Sequence, residues 1–191
     1  MLIKERLSGF RNRVLRSASG LWFPDFDLMV PKRRNVLGVL RSDGERLPLM
    51  IPASNIVTNA GDIYYAQRSC GETPTNAFGI LELASAGTPG KAADRDDFTP
   101  IGSTQKAHDA TYPQTDDEDA DNTGAGTDIV TYLTSYAKGD FNAASITHGF
   151  ITNTGAGAGA PLLTGFAFAS GFAKTANDTL KVFTNHTMNG V

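Results

Sequence analysis

The sequence predicts a mainly β fold, a β-sandwich or barrel, and three observations carry that expectation. Short alternating runs recur toward the C-terminus: "DIVTYLTSYAKG", "ASITHGFITN", "PLLTGFAFAS" and "DTLKVFTNHT". Gly-, Asn- and Asp-rich turns separate them at intervals of about a dozen residues, the rhythm of sandwich and barrel strands. "NVLGVLRSDGERLPLMI" reads as a hairpin with Ser42, Asp43 and Gly44 at its turn. Composition agrees, since 20 glycines and a charged content of only 19% favour turns and short strands over long surface helices. A chain of 191 residues is long enough for one ordinary domain and too short for two large ones.

The elements follow in order. Ile3, Leu7, Phe10 and Val14 share one face at helical spacing, with Lys4, Arg6, Arg11, Arg13 and Arg16 around much of the rest and Ser17–Gly20 as the stop. This short amphipathic helix spans only about four turns with a narrow apolar face, which suits docking on protein better than lying on a membrane. "GLWFPDFDLMVPKRR" is apolar but broken by Pro24 and Pro31, so it reads as an extended arm. Such an arm cannot bury its own aromatics. Phe10, Arg13, Trp22, Phe23, Phe26, Met29, Arg33 and Arg34 are therefore candidate partner-binding residues.

Charge draws the same line. Residues 1–46 carry ten Lys/Arg against five Asp/Glu, whereas 47–191 carry seven against fifteen. We expect a basic N-terminal arm over 1–46 and a β-sandwich domain over 47–191, the arm meeting an acidic partner or a neighbouring copy's body.

Within the domain, "ASNIVTNAGDIYYAQRSCG" suggests a short helix from near Asn59 that stops at Gly71, and "AFGILELAS" a buried strand. From Gly87 to Gly126 regular pattern is lost. An irregular insert of that length implies a functional loop, a disordered one or a segment that hugs another subunit. After it, Val130, Tyr132 and Tyr136 fall on one strand face and Ile129, Thr131 and Leu133 on the other. "GAGAGAP" at 155–161 lacks the Lys-Ser/Thr of a phosphate loop and runs into a strand, so it reads as a hairpin loop. In the last strand, Leu180 and Val182 alternate with Thr179, Lys181 and Phe183, giving one aliphatic core face.

Few residues spell chemistry. Asp117, Asp119 and Asp121 fall at positions 1, 3 and 5 of a twelve-residue calcium loop and Asp128 at position 12. Asn122 stands where such a loop wants Gly, and Asp128 where it wants Glu, so a solvated acidic loop competes with Ca²⁺ binding. His108, His148 and His186 are isolated along the chain, which argues against zinc, and His148 reads as a partly buried structural residue. No nucleophile elbow appears, and no cysteine sits near a base, so no enzyme is expected. Lys32, Arg33 and Arg34 cluster without an aromatic-interleaved basic sheet, so nucleic acid is not expected either. Cys70, the one cysteine, reads as a small buried thiol in a reducing cytoplasm. Neither a secretory leader nor a membrane span is expected.

"DFNAASITHGFITN" and "PLLTGFAFASGFAKTANDTLKVFTNHT", with "NIVTNAGDIYYAQ" and "AFGILELAS" before them, resemble a group of tailed-bacteriophage virion proteins. The likeness covers about residues 55–85 and 127–187; the insert between them and residues 1–50 lie outside the pattern. The resemblance implies a sandwich of jelly-roll-like kind used for assembly in the virion. A capsid decoration (cement) protein fits first, with the major capsid protein and neighbouring copies as partners, in a homo-oligomer such as a trimer. A tail, baseplate or fibre component is the alternative within the virion. A carbohydrate-binding module, with Tyr112, Tyr132 or Tyr136 as stacking platforms, is the alternative outside it.

Overall fold

The computed structural model describes residues 13–16, 22–25, 36–42, 49–116, 129–153 and 156–187. They fall into two compact units, Met1–Lys32 and Arg33–Val191. In the first, strand β1 (Arg13–Arg16) pairs antiparallel with β2 (Trp22–Asp25), setting Arg13 opposite Asp25 and Leu15 opposite Phe23. The helix expected to run through Val14 therefore does not include residues 13–16. Pro24, which has no N–H to give to a ladder, is tolerated in a two-stranded ribbon.

The second unit begins earlier than the charge boundary at residue 46 suggests. Strand β3 (Val36–Ser42) pairs with β4 (Leu49–Val57) as the expected hairpin, and β3 also pairs with β12 (Thr179–Thr187). Residues 36–42 are thus part of the body, not of the arm.

The described strands of this unit form a ten-stranded antiparallel sheet. Besides β3, β4 and β12 it contains β5 (Phe78–Gly87), β6 (Phe98–Pro100), β7 (Lys106–Ala107) and β8 (Gln114–Asp116), then β9 (Ile129–Tyr136), β10 (Ala143–Asn153) and β11 (Leu162–Lys174). Their order is β6-β5-β10-β11-β4-β3-β12-β9-β8, with β7 also on β5. Although β5 and β9 lie near opposite ends of that order, Leu81 and Leu83 of β5 share one core with Tyr132 and Tyr136 of β9 and with Leu180 and Val182 of β12. The sheet is rolled around a common interior.

The one α-helix among the described residues, α1 (Asn59–Ser69), packs on β11. Its limits match the chemistry of its ends. The Thr58 hydroxyl accepts from the Gly61 amide at 3.1 Å, Asp62 lies in the first turn and Arg68 in the last, and Gly71 follows at φ +72°. Cys70 caps the helix and is exposed, because this end of α1 faces solvent; the buried thiol expected of it is not found. Gly61 permits the close approach of α1 to the sheet, since a Cβ there would lie 2.2 Å from the Leu163 carbonyl oxygen.

The expected irregular insert at 87–126 is largely a structured part of this body. Its first stretch forms a 3-10 turn (Arg95–Asp97) and β6, and it covers the outer face of β5. There Phe98 packs with Ala84, Phe150 and Leu162 in a second small core. The later part, through Asp116, supplies β7 and β8.

Two predictions follow from the packing. Leu180 and Val182 are each 1% exposed while Lys181 faces solvent. Leu180→Ala should cost about 2–5 kcal/mol in chemical denaturation and Lys181→Ala about 0.5 kcal/mol or less; equal costs would mean the strand is facing the wrong way. Gly→Ala inside a helix ordinarily stabilises by about 1 kcal/mol. At Gly61 the clash reverses the sign, and we expect a net loss of about 1–3 kcal/mol.

Candidate functional site

Of the candidate arm residues, the structure places Arg13 in β1 and Trp22 and Phe23 in β2, with Trp22 opposite Arg16. Phe10, Phe26, Met29, Arg33 and Arg34 lie outside the described residues. So do Asp117, Asp119, Asp121 and Asp128, which fall in sequence between the register partners Asp116 and Ile129. Among the described residues, no three His, Cys, Asp or Glu side chains gather as a metal-holding group. Tyr132 and Tyr136 are each 1% exposed, so neither ring can stack on a sugar.

The structure instead assembles a polar constellation that chain spacing does not show. It is built on the stretch Thr104–Asp109, which runs across the seam between β5 and β9 as a strap. Thr104 is fully buried; its hydroxyl accepts from the Leu83 amide at 3.1 Å and donates to the Ile101 carbonyl at 2.7 Å. Its own carbonyl accepts from the Tyr136 hydroxyl at 2.7 Å. Further along, the His108 amide donates to Gly79 of β5 and the Asp109 amide to Leu133 of β9, at 3.3 and 2.8 Å. The Asp109 carboxylate accepts from the amide and hydroxyl of Ser135 at 2.9 and 2.6 Å. One short segment therefore serves both flanks of the seam.

The strap's own His108 and, from β12, His186 lie near each other although they are 78 positions apart in sequence. Nδ1 of His108 meets the Thr134 hydroxyl at 2.9 Å. Nδ1 of His186 meets the Tyr65 hydroxyl at 2.5 Å, and that hydroxyl lies 3.0 Å from the Tyr132 hydroxyl. The Tyr132 ring stands between the imidazoles, with centroids 5.1 Å from His108 and 5.3 Å from His186. Nε2 of each histidine is buried without a hydrogen-bond partner. Burial lowers the His108 pKa to about 4, against a smaller upward pull from Asp109. Burial and the neighbouring His108 lower that of His186 to about 3. Burial likewise raises the pKa of Tyr65, Tyr132 and Tyr136. At neutral pH the two histidines are thus neutral, and with Tyr65, Tyr132 and Thr134 they tie α1, β9, β12 and the strap together. His148, expected as a partly buried structural residue, is half-buried in β10 with its ring 6.3 Å from that of Phe98.

On the outer face, Glu82 is 3% exposed and is held by Arg95 in a two-point bridge, Nε to Oε2 and Nη2 to Oε1, both 2.9 Å. Gln105 adds a contact at 3.3 Å. The covering turn is thereby fastened to β5.

No protein-family model matches the chain, and neither a curated protein nor a solved structure gives a significant match.

Removing single partners here should be costly. Thr104→Val keeps the side-chain shape but strips the Leu83 amide of its acceptor, for an expected loss of about 1–3 kcal/mol in urea denaturation. Arg95→Ala leaves a buried carboxylate without its counter-charge and should cost about 3–5 kcal/mol. Losses below about 0.5 kcal/mol at both positions would remove the strap and the turn from the account of stability.

Proposed function

We propose that the protein is a structural virion protein of a tailed bacteriophage, a capsid decoration protein that binds and stabilises neighbouring capsid subunits. Its rolled sheet is read here as the jelly-roll-like sandwich of that group. The observation that carries the proposal is the division of the chain at Lys32/Arg33 into two compact units. A separate N-terminal unit is what an assembly arm requires. The charge asymmetry survives the shift of boundary: residues 1–32 hold six Lys/Arg against three Asp/Glu, and 33–191 hold eleven against seventeen. A basic arm of this kind can reach the acidic surface of a capsid subunit or of a neighbouring copy.

The likeness at about residues 55–85 and 127–187 supplies the virion assignment. It supports a homo-oligomer, such as a trimer, contacting the major capsid protein. Carbohydrate binding through Tyr132 and Tyr136 loses its support, since both rings belong to the core.

Deleting residues 1–32 tests the proposal. The truncated protein should keep its fold and lose binding to particles lacking the protein. The cut must not extend to residue 46, because β3 sits between β4 and β12. Trp22→Ala in the full chain should weaken binding by roughly 2 kcal/mol or more if Trp22 is a central anchor. Undiminished particle binding by the truncated protein would refute the arm. Counting copies on the virion separates a decoration protein, at hundreds, from a tail component, at about a dozen or fewer.

A further inference from the structure

We propose that His108 and His186 form an acid-sensitive latch on the seam of the rolled sheet, whose protonation releases the strap Thr104–Asp109 from β9. The geometry supplies the reason. A cationic imidazole carries two N–H donors and needs two acceptors. His108 has one within reach, the Thr134 hydroxyl, and its Nε2 is buried without a partner. For His186 the cation finds one acceptor at most. Nδ1–H can donate to the Tyr65 oxygen once that hydroxyl turns toward Tyr132, 3.0 Å away, but the hydrogen on Nε2 is buried and has no acceptor.

Asp109 favours the His108 cation, but burial outweighs it. Around the histidines α1 contributes Tyr65, with Tyr64 acting on both Tyr65 and Tyr132 and the cationic Arg68 acting on Tyr132. Strand β9 contributes Tyr132 and Thr134. The strap contributes Asp109, whose carboxylate is committed to Ser135, and Lys106, which is paired with Asp140. Strand β12 contributes His186 itself, so each histidine faces the other's charge. His108 is part of the strap, so relief of its charge by water requires the strap to lift.

The sign follows from linkage. Both histidines are neutral in the folded chain and take up protons near pH 6.5 when exposed. The closed seam is therefore fully favoured above about pH 6.5 and loses ground as pH falls toward about 4.

Hydrogen exchange of the full chain, compared at pH 7 and pH 4.5 after correction for intrinsic rates, tests the latch. Amides of the strap and of Ser135 should exchange at least about tenfold faster at the lower pH, since one pKa unit corresponds to a factor of ten. In a His108→Asn/His186→Asn double variant, which stays neutral and can still bond to Thr134 and Tyr65, the same ratio should stay below about threefold. An equal acid response in the variant, or none in the wild type, would overturn the latch. Should the double variant fail to fold, an NMR titration of the wild-type imidazoles decides. Both must stay neutral in the folded protein at pH 5.5; protonation of either near pH 6.5 with the strap still protected would equally overturn it.

Discussion

A rolled antiparallel sheet has to do something with its two flanks. Each flank presents backbone N–H and C=O groups that must be paired or hydrated, and an apolar interior leaves little room for water. In this protein one continuous segment meets that demand. It leaves β5, pairs back on it as β6 and β7, crosses as the strap, and ends as β8 on β9. The interior can be apolar because the segment from Phe98 to Asp116 closes the gap. Thr104 is its pivot, since its hydroxyl serves β5 and its carbonyl serves Tyr136 of β9.

The rest of the architecture depends on that closure. The strap's His108 and the Tyr65–His186–Tyr132 contacts fill the space at the seam with polar groups, and two imidazole nitrogens are left without partners. Outside, Phe98 lies over Gly165 and Gly87, where a Cβ would come within 2.7 and 2.2 Å of its ring. The Arg95–Glu82 bridge pins the same covering turn to β5. Stability and acid sensitivity thus share one place. An arm that engages a partner, in our proposal, is left to the separate N-terminal unit.

Elements whose side chains alternate were legible in the sequence. β9 and β12 announce themselves by alternation, β5, β10 and β11 by short apolar runs between turn residues, and α1 by its end chemistry from Asn59 to Gly71. The seam was not legible, because two- and three-residue strands carry no period. Thr104 and Asp109 act through single hydrogen bonds that any loop could make. His108 and His186 looked isolated because only the return of β12 beside β9 brings them together. Residues 13–16 carried a helical spacing that strand pairing with 22–25 overrides. Cys70 was misjudged because burial follows position on the helix, not residue type.

The central claim, that the strap holds the seam closed as part of the cooperative fold, is tested most directly by native-state hydrogen exchange at neutral pH under increasing urea. The amides of Leu83, Asp109 and Ser135 should open with the same free energy and urea dependence as those of Ile151 and Phe166 in β10 and β11, because releasing the strap exposes the common core. If those three amides exchange through a low-energy, urea-insensitive opening while Ile151 and Phe166 stay protected, the strap is an ornament on a sheet that closes by other means.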